Sequence, residues 1–209
     1  MTRKDYFLTG LFQPHSGEID TLQKQLHWTL RITVALCFIG HGAWGLITKA
    51  GWLPFFASQG IEPAIAWKLQ PLIGAFDILM AVLLLVQPRR IILVWMFLWA
   101  LWTAALRPLA GNLEKVQVNG EWLVQLATDS MRVPKMQTWE FWERAGNWGP
   151  PFMLLVMGGV FVARYKDLLG AYVEPRLKES TVDTLFFLLR TTLALLLIGH
   201  AGFGFAVEK

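Results

Sequence analysis

The chain has 209 residues, 55% of them hydrophobic and only 16% charged, where an average soluble domain carries roughly a quarter charged residues. Its formal charge of +4 comes from basic residues scattered around apolar runs with no long Lys/Arg cluster, so nucleic acid is not an expected partner. Cys37 is the only cysteine, which excludes an internal disulfide, a CxxC redox centre and a thiolate zinc site built from this chain alone; any redox chemistry has to come from a cofactor or a partner.

These features point to the bilayer as solvent, and the chain reads as an all-α, polytopic membrane protein. Most of the 11 Trp and 14 Phe lie within or at the ends of apolar runs, where aromatic rings anchor helix ends at headgroup level. Residues 1–28 are an N-terminal segment carrying Asp5, Glu18 and Asp20, unlike the start of a cleaved signal peptide, so the first membrane helix is expected to remain as an anchor. Leu30 to Ile47 has the length that a hydrocarbon layer of ~30 Å demands and is the first predicted span. Residues 49–68 mix breakers with aromatics and suit a loop or short helix along the interface. Leu69 to Val86 is the second span, closed by Pro88, Arg89 and Arg90, and Ile91 to Leu106 is the third, closed by Arg107 and Pro108.

Residues 107–148 are polar enough to leave the membrane. Within them Val116–Val118 and Trp122–Val124 flank Asn119-Gly120, a dipeptide favoured in type I′ hairpin turns, which predicts a small extramembrane hairpin. An interfacial stretch from Trp139 to Trp148 leads to a fourth span from about Pro151 to Ala163, extended toward Leu169 by snorkelling of Arg164 and Lys166. The fifth span, 184–207, repeats the first: Leu30, Arg31, Thr33, Ile39, Gly40, His41 and Gly45 recur in register as Leu189, Arg190, Thr192, Ile198, Gly199, His200 and Gly204. Helical apolarity alone does not place an Arg and a Gly-His pair in register, so an internal duplication is the reading, and four intervening spans make the repeats parallel. Basic residues in the short segments place the N-terminus and Arg89-Arg90 in the cytoplasm, and hence the chain in a cell inner membrane with Arg107 to Trp148 outside.

Ionisable residues inside these spans are costly and therefore informative. His41 is ten residues beyond Arg31, so roughly 15 Å deeper, and Asp77, eleven residues before Pro88, falls at a similar depth. The two are expected in direct or one-water contact, with Trp99 of the third span roofing the site. Gly40, Gly42 and Gly45 around the histidine and Gly74 near the aspartate would let the two helices approach. Two roles are open to such a pair: a working intramembrane site, or a polar link that fixes the register of the bundle. Arg31 and Arg190 read as snorkelling interface residues. Arg107 is either an interfacial anchor or a contact for an anionic headgroup or substrate.

Haem is not expected: His27 and His41 are fourteen residues apart, close to four turns, but His27 precedes the apolar run and nothing sets a second imidazole opposite either of them. No metal-ligand motif, dinucleotide glycine motif, phosphate loop or serine elbow stands on a suitable element, and catalytic residues are not assigned.

Arg31 to Ile39 followed by Gly40-His41-Gly42 and Gly45, then Phe55-Phe56, Gly60, Pro71 and Gly74, and Arg107-Pro108 after the third span, resembles the DoxX-like family of small four-helix membrane proteins. The resemblance covers about residues 29–169, with a second copy beginning near 184. It implies a four-helix transmembrane bundle and a link to membrane redox work, since the family includes the DoxD-type subunit of thiosulfate:quinone oxidoreductase. It implies in turn a quinone as candidate cofactor and a membrane or soluble redox partner subunit, with membrane lipid as surroundings. The alternatives are a transporter or lipid-binding module that uses a midplane His/Asp site, and a purely structural subunit. The loop 107–148 and the duplication depart from the compact single-copy pattern. Because the second copy reaches only its first helix, the chain is expected to be part of a longer architecture, unless His200 finds its partner on the first four helices or on another protomer.

Overall fold

A computed structural model of the chain describes residues 16–127, 132–159, 165–170, 172 and 177–207. Four of its helices are long and apolar enough to cross a membrane. They are α1 (Ser16–Ile47), α3 (Pro63–Val86), α4 (Arg90–Leu109) and α7 (Glu179–Val207). The short α2 (Leu53–Ala57) lies between α1 and α3. After α4 come β1 (Leu113–Val118) and β2 (Glu121–Leu126), and then α5 (Arg132–Glu143) and α6 (Ala145–Met157).

The long helices bury one stripe each and leave the opposite face apolar. On α3 the buried positions Ala66, Gln70, Gly74, Asp77, Met80 and Leu84 recur every three or four residues, the helical period. Leu72, Phe76, Leu79 and Val86 on its other faces are exposed, as are Ile32 and Leu36 on α1 and Phe187, Leu193 and Leu197 on α7. Apolar surface on this scale is stable only when covered by something other than water.

α1 packs most extensively against α3, through the glycines. A Cβ added at Gly42 or Gly45 would come within 3 Å of Gly74 backbone atoms, and one at Gly74 would strike the backbone of Gly42 and Leu46. Gly40 does not belong to this crossing: a Cβ there would meet nothing within 4 Å, because position 40 lies on another face of α1. α1 ends at Thr48, whose φ of 59° is left-handed, and the Lys49 N–H then donates to Gln70 Oε1 at 2.6 Å. That bond satisfies the carbonyl end of a fully buried glutamine on α3.

Arginines close the helix ends on the opposite side. Arg31 is buried rather than snorkelling: its Nε and Nη2 donate to the Leu84 and Leu85 carbonyls at the end of α3, at 2.8 and 2.7 Å. These are carbonyls that a helix cannot satisfy internally. Arg90 does the same for α6 by donating to the Gly158 carbonyl from Nε and Nη2. Arg89-Arg90 thus has a bonding role as well as a charge.

Three expected boundaries move. The interfacial stretch 49–68 contains a 3₁₀ turn and α2 but ends at Glu62, because Pro63 starts α3 at a position where a missing N–H costs nothing. The polar loop after α4 contains the expected hairpin, with Asn119 and Gly120 both at positive φ in its turn, but also α5 and the start of α6. Where the fourth span is expected, from Pro151 to Ala163, the chain forms α6, which begins at Ala145 and ends at Met157; its 13 residues run only about 20 Å, and it is not one of the four helices long enough to cross a membrane. Residues 160–163 of that expectation lie outside the described residues. α6 is buried almost all round, with Gly149, Pro151 and Met153 to Met157 inside, as suits a central strut packed on α1, α4 and α7.

α7 runs parallel to α1. Near its start the Leu177 N–H donates to Gln23 Oε1 at the beginning of α1, and near its end Gly199 lies on the backbone of Glu143. It packs on α5 and α6 through two pairs of small residues: Gly146 and Gly149 receive Leu196 and Thr192, and Gly199 and Gly202 receive Glu143 and Trp139.

Candidate functional site

Between α1, α3, α4 and α6, under the lid formed by α2, lies a cavity of about 370 Å³. Its walls are Cys37, Phe38 and His41 from α1, Leu69, Ile73 and Asp77 from α3, and Trp99, Trp102, Thr103 and Arg107 from α4. Trp52, Phe55 and Phe56 close the top, and Arg144 and Asn147 reach in from the α5–α6 junction. The volume and the mostly apolar, aromatic lining with a few convergent polar groups are those of a small-molecule site.

The polar end is one connected cluster. Glu140 Oε1 accepts from Arg107 Nη1 at 3.1 Å and from Arg144 Nη2 at 3.0 Å. The Arg107 guanidinium also stacks over Phe55 at 3.9 Å, which ties α4 to the lid. Arg144 Nη1 faces His41 Nε2 at 3.1 Å, and Asn147 Nδ2 lies 3.5 Å from the same nitrogen. A guanidinium can only donate, so His41 Nε2 must present its lone pair; the imidazole is then neutral, with its proton on Nδ1, 3.2 Å from the Cys37 carbonyl. Cys37 Sγ completes the ring by donating to Asn147 Oδ1 at 3.5 Å.

Asp77 enters the same cavity from α3. Trp99 lines the cavity beside it, and among the described residues Asp77 Oδ1 is buried without a hydrogen-bond partner. Trp99 in turn stacks on Trp95 at 5.8 Å. The expected direct contact between His41 and Asp77 is not formed. Both imidazole nitrogens are engaged elsewhere, by Arg144 and Asn147 on one side and by the Cys37 carbonyl on the other. The two residues share a cavity but not a bond.

The remaining candidates lie apart. His27 is four turns from His41, stacked on Tyr172 at 5.6 Å and within 3.5 Å of Arg31 Nη1. His200 does not enter the cavity: its Nδ1 is 2.8 Å from Glu143 Oε1, and its side chain is 73% exposed. Among the first four helices and their connections, then, Glu143 is its partner. Sequence reasoning missed Glu140, Arg144, Asn147 and Gln70. Glu140 and Arg144 stand at the (i, i+4) spacing that joins opposite charges on a helix, a signal hidden within a stretch read only as interfacial. Among the described residues no group of three His, Cys, Asp or Glu is placed to hold a metal ion. No family model, no curated protein and no solved structure matches the chain.

Proposed function

We propose that this chain is a DoxX-like, multi-pass inner-membrane protein whose cavity receives a quinone headgroup, serving as the membrane subunit of a quinone-linked redox process. The observation that carries the reading is an aromatic cavity within apolar helices, with guanidinium donors at one end and a carboxyl at the other. Bound quinone would supply two-electron, two-proton chemistry, with the electrons coming from a partner because a lone cysteine cannot cycle through an internal disulfide. The residues fit that cargo. Among the described residues Arg107 Nε and Arg144 Nε are buried without partners and can donate to an oxygen acceptor. Trp99, Phe55 and Trp52 offer flat apolar faces, and the unpartnered Asp77 Oδ1 is a place to hold a proton.

Protein purified in mild detergent and extracted with solvent should release quinone in near-stoichiometric amount. Arg144→Gln, which removes a charge-assisted donor of about 1.5–3 kcal/mol, should reduce the amount retained by tenfold or more. Retention unaffected by both Arg144→Gln and Asp77→Asn would rule the quinone reading out. A carrier that uses the same His41/Asp77 cavity would instead be indicated by proton-coupled uptake into proteoliposomes without bound quinone.

The topology that goes with this reading has the N-terminus and Arg89-Arg90 in the cytoplasm and the hairpin outside, from the balance of basic residues. In a Cys37→Ser background, a cysteine at position 130 should react with an impermeant reagent in intact cells and one at position 89 should not. The reverse pattern would invert the molecule.

A further inference from the structure

A second, larger cleft of about 930 Å³ lies on the other side of His41, between α1 and α7. The two helices hardly touch; α6 packs against both and floors the space between them. One wall is Leu36, Gly40 and Trp44, the other is Leu196, and the end toward the hairpin carries Lys49, Lys115, Arg107 and Arg144. We propose that this cleft is a binding site for one anionic phospholipid, with an acyl chain along Leu36, Gly40 and Leu196 and the phosphate between Lys49 and Lys115.

Charge complementarity identifies the occupant. Among the described residues neither Lys49 nor Lys115 has a carboxylate partner. Each ammonium stands over an indole instead, Lys49 at 3.9 Å above Trp44 and Lys115 at 5.2 Å above Trp122. The acidic side chains nearby are already engaged, Glu140 by two arginines and Glu143 by His200. The mouth is therefore cationic, at the level where Trp and Lys side chains meet headgroups. A choline headgroup would bring a quaternary ammonium charge against these cations, and a free anion would have no use for the apolar walls.

Gly40 is the second observation. A Cβ there would meet no protein atom within 4 Å, so close packing does not call for the glycine; position 40 lines the cleft, and a larger side chain would extend into it. This makes Gly40→Leu a selective block: it occupies ligand space, leaves the α1–α3 crossing alone, and replaces glycine with a better helix former.

The test is native mass spectrometry of the full chain released from bilayers of equal phosphatidylglycerol and phosphatidylcholine. One phosphatidylglycerol should remain bound, preferred over phosphatidylcholine by tenfold or more. The preference should vanish in Lys49→Gln/Lys115→Gln, and the bound lipid should be lost in Gly40→Leu, with helical circular dichroism matching the parent in both. Equal retention of the two lipids, retention that survives either variant, or displacement of the lipid by millimolar inorganic phosphate would each overturn the proposal. None of these outcomes depends on the cavity that holds Asp77, so the quinone reading stands or falls separately.

Discussion

Gly74→Val is expected to be the most damaging single substitution outside the polar cluster, lowering stability by about 3 kcal/mol or more, the upper range for overpacking. Overpacked cores usually yield by rotating a side chain, but here the atoms in the way are the Gly42 carbonyl and the backbone at Gly45 and Leu46, which cannot rotate aside. The helices would have to separate, and the seam that places His41 and Asp77 at one cavity would open with them. Gly40→Ala provides the control, since its Cβ meets nothing and alanine favours the helix. Unfolding in mixed micelles, followed by circular dichroism, should separate the two variants clearly. A Gly74→Val protein as stable as the parent would show that the close crossing of α1 and α3 does not hold the bundle together.

The long helices could be read from the sequence because their signal is physical and local: apolar runs of spanning length, ended by Pro88-Arg89-Arg90 and by the polar stretch after Arg107, although the start of α3 at Pro63 lay six residues before the expected Leu69. The hairpin was legible for the same reason, since Asn119-Gly120 satisfies the positive φ values that its turn requires. Spacing along the helices set His41, Asp77 and Trp99 at one level, and all three line one cavity. What depth does not provide is azimuth. His41 and Asp77 share a level but face different partners, and the residue that takes up His41 comes from Arg144, more than a hundred positions along the chain.

The similarity in register between residues 30–45 and 189–204 shows the same limit. Position 40 corresponds to 199 and position 45 to 204, yet α1 crosses α3 at Gly42 and Gly45 while α7 meets α5 at Gly199 and Gly202. Relative to that register the contact shifts by two residues, about 200° around a helix, so the two similar segments present nearly opposite faces. His41 is thereby turned toward the cavity and His200 toward Glu143. The junction between α5 and α6 serves both, with Glu143 and Arg144 adjacent in sequence and directed to different histidines. Similarity in register therefore does not say what each histidine does.

Glu140→Gln is expected to destabilise the protein by about 2–3 kcal/mol. This is below the 3–5 kcal/mol typical of a fully buried ion pair, because the three side chains retain some exposure. Glutamine keeps the size of glutamate and one acceptor, so packing is preserved and the loss is electrostatic. A single carboxylate oxygen lies within 3.1 Å of both Arg107 and Arg144; without its charge, two guanidiniums face each other at the head of an apolar cavity with no negative charge between them. Removing one of those charges should then help. Glu140→Gln/Arg144→Gln is expected to be more stable than the sum of the single effects by at least about 1 kcal/mol, the mark of residues acting in one network. The energies should also respond little to added salt, unlike those of a surface pair. Strict additivity in the cycle, or a Glu140→Gln protein within about 0.5 kcal/mol of the parent, the range of ordinary surface substitutions, would mean that the cluster is solvated and does not organise the cavity.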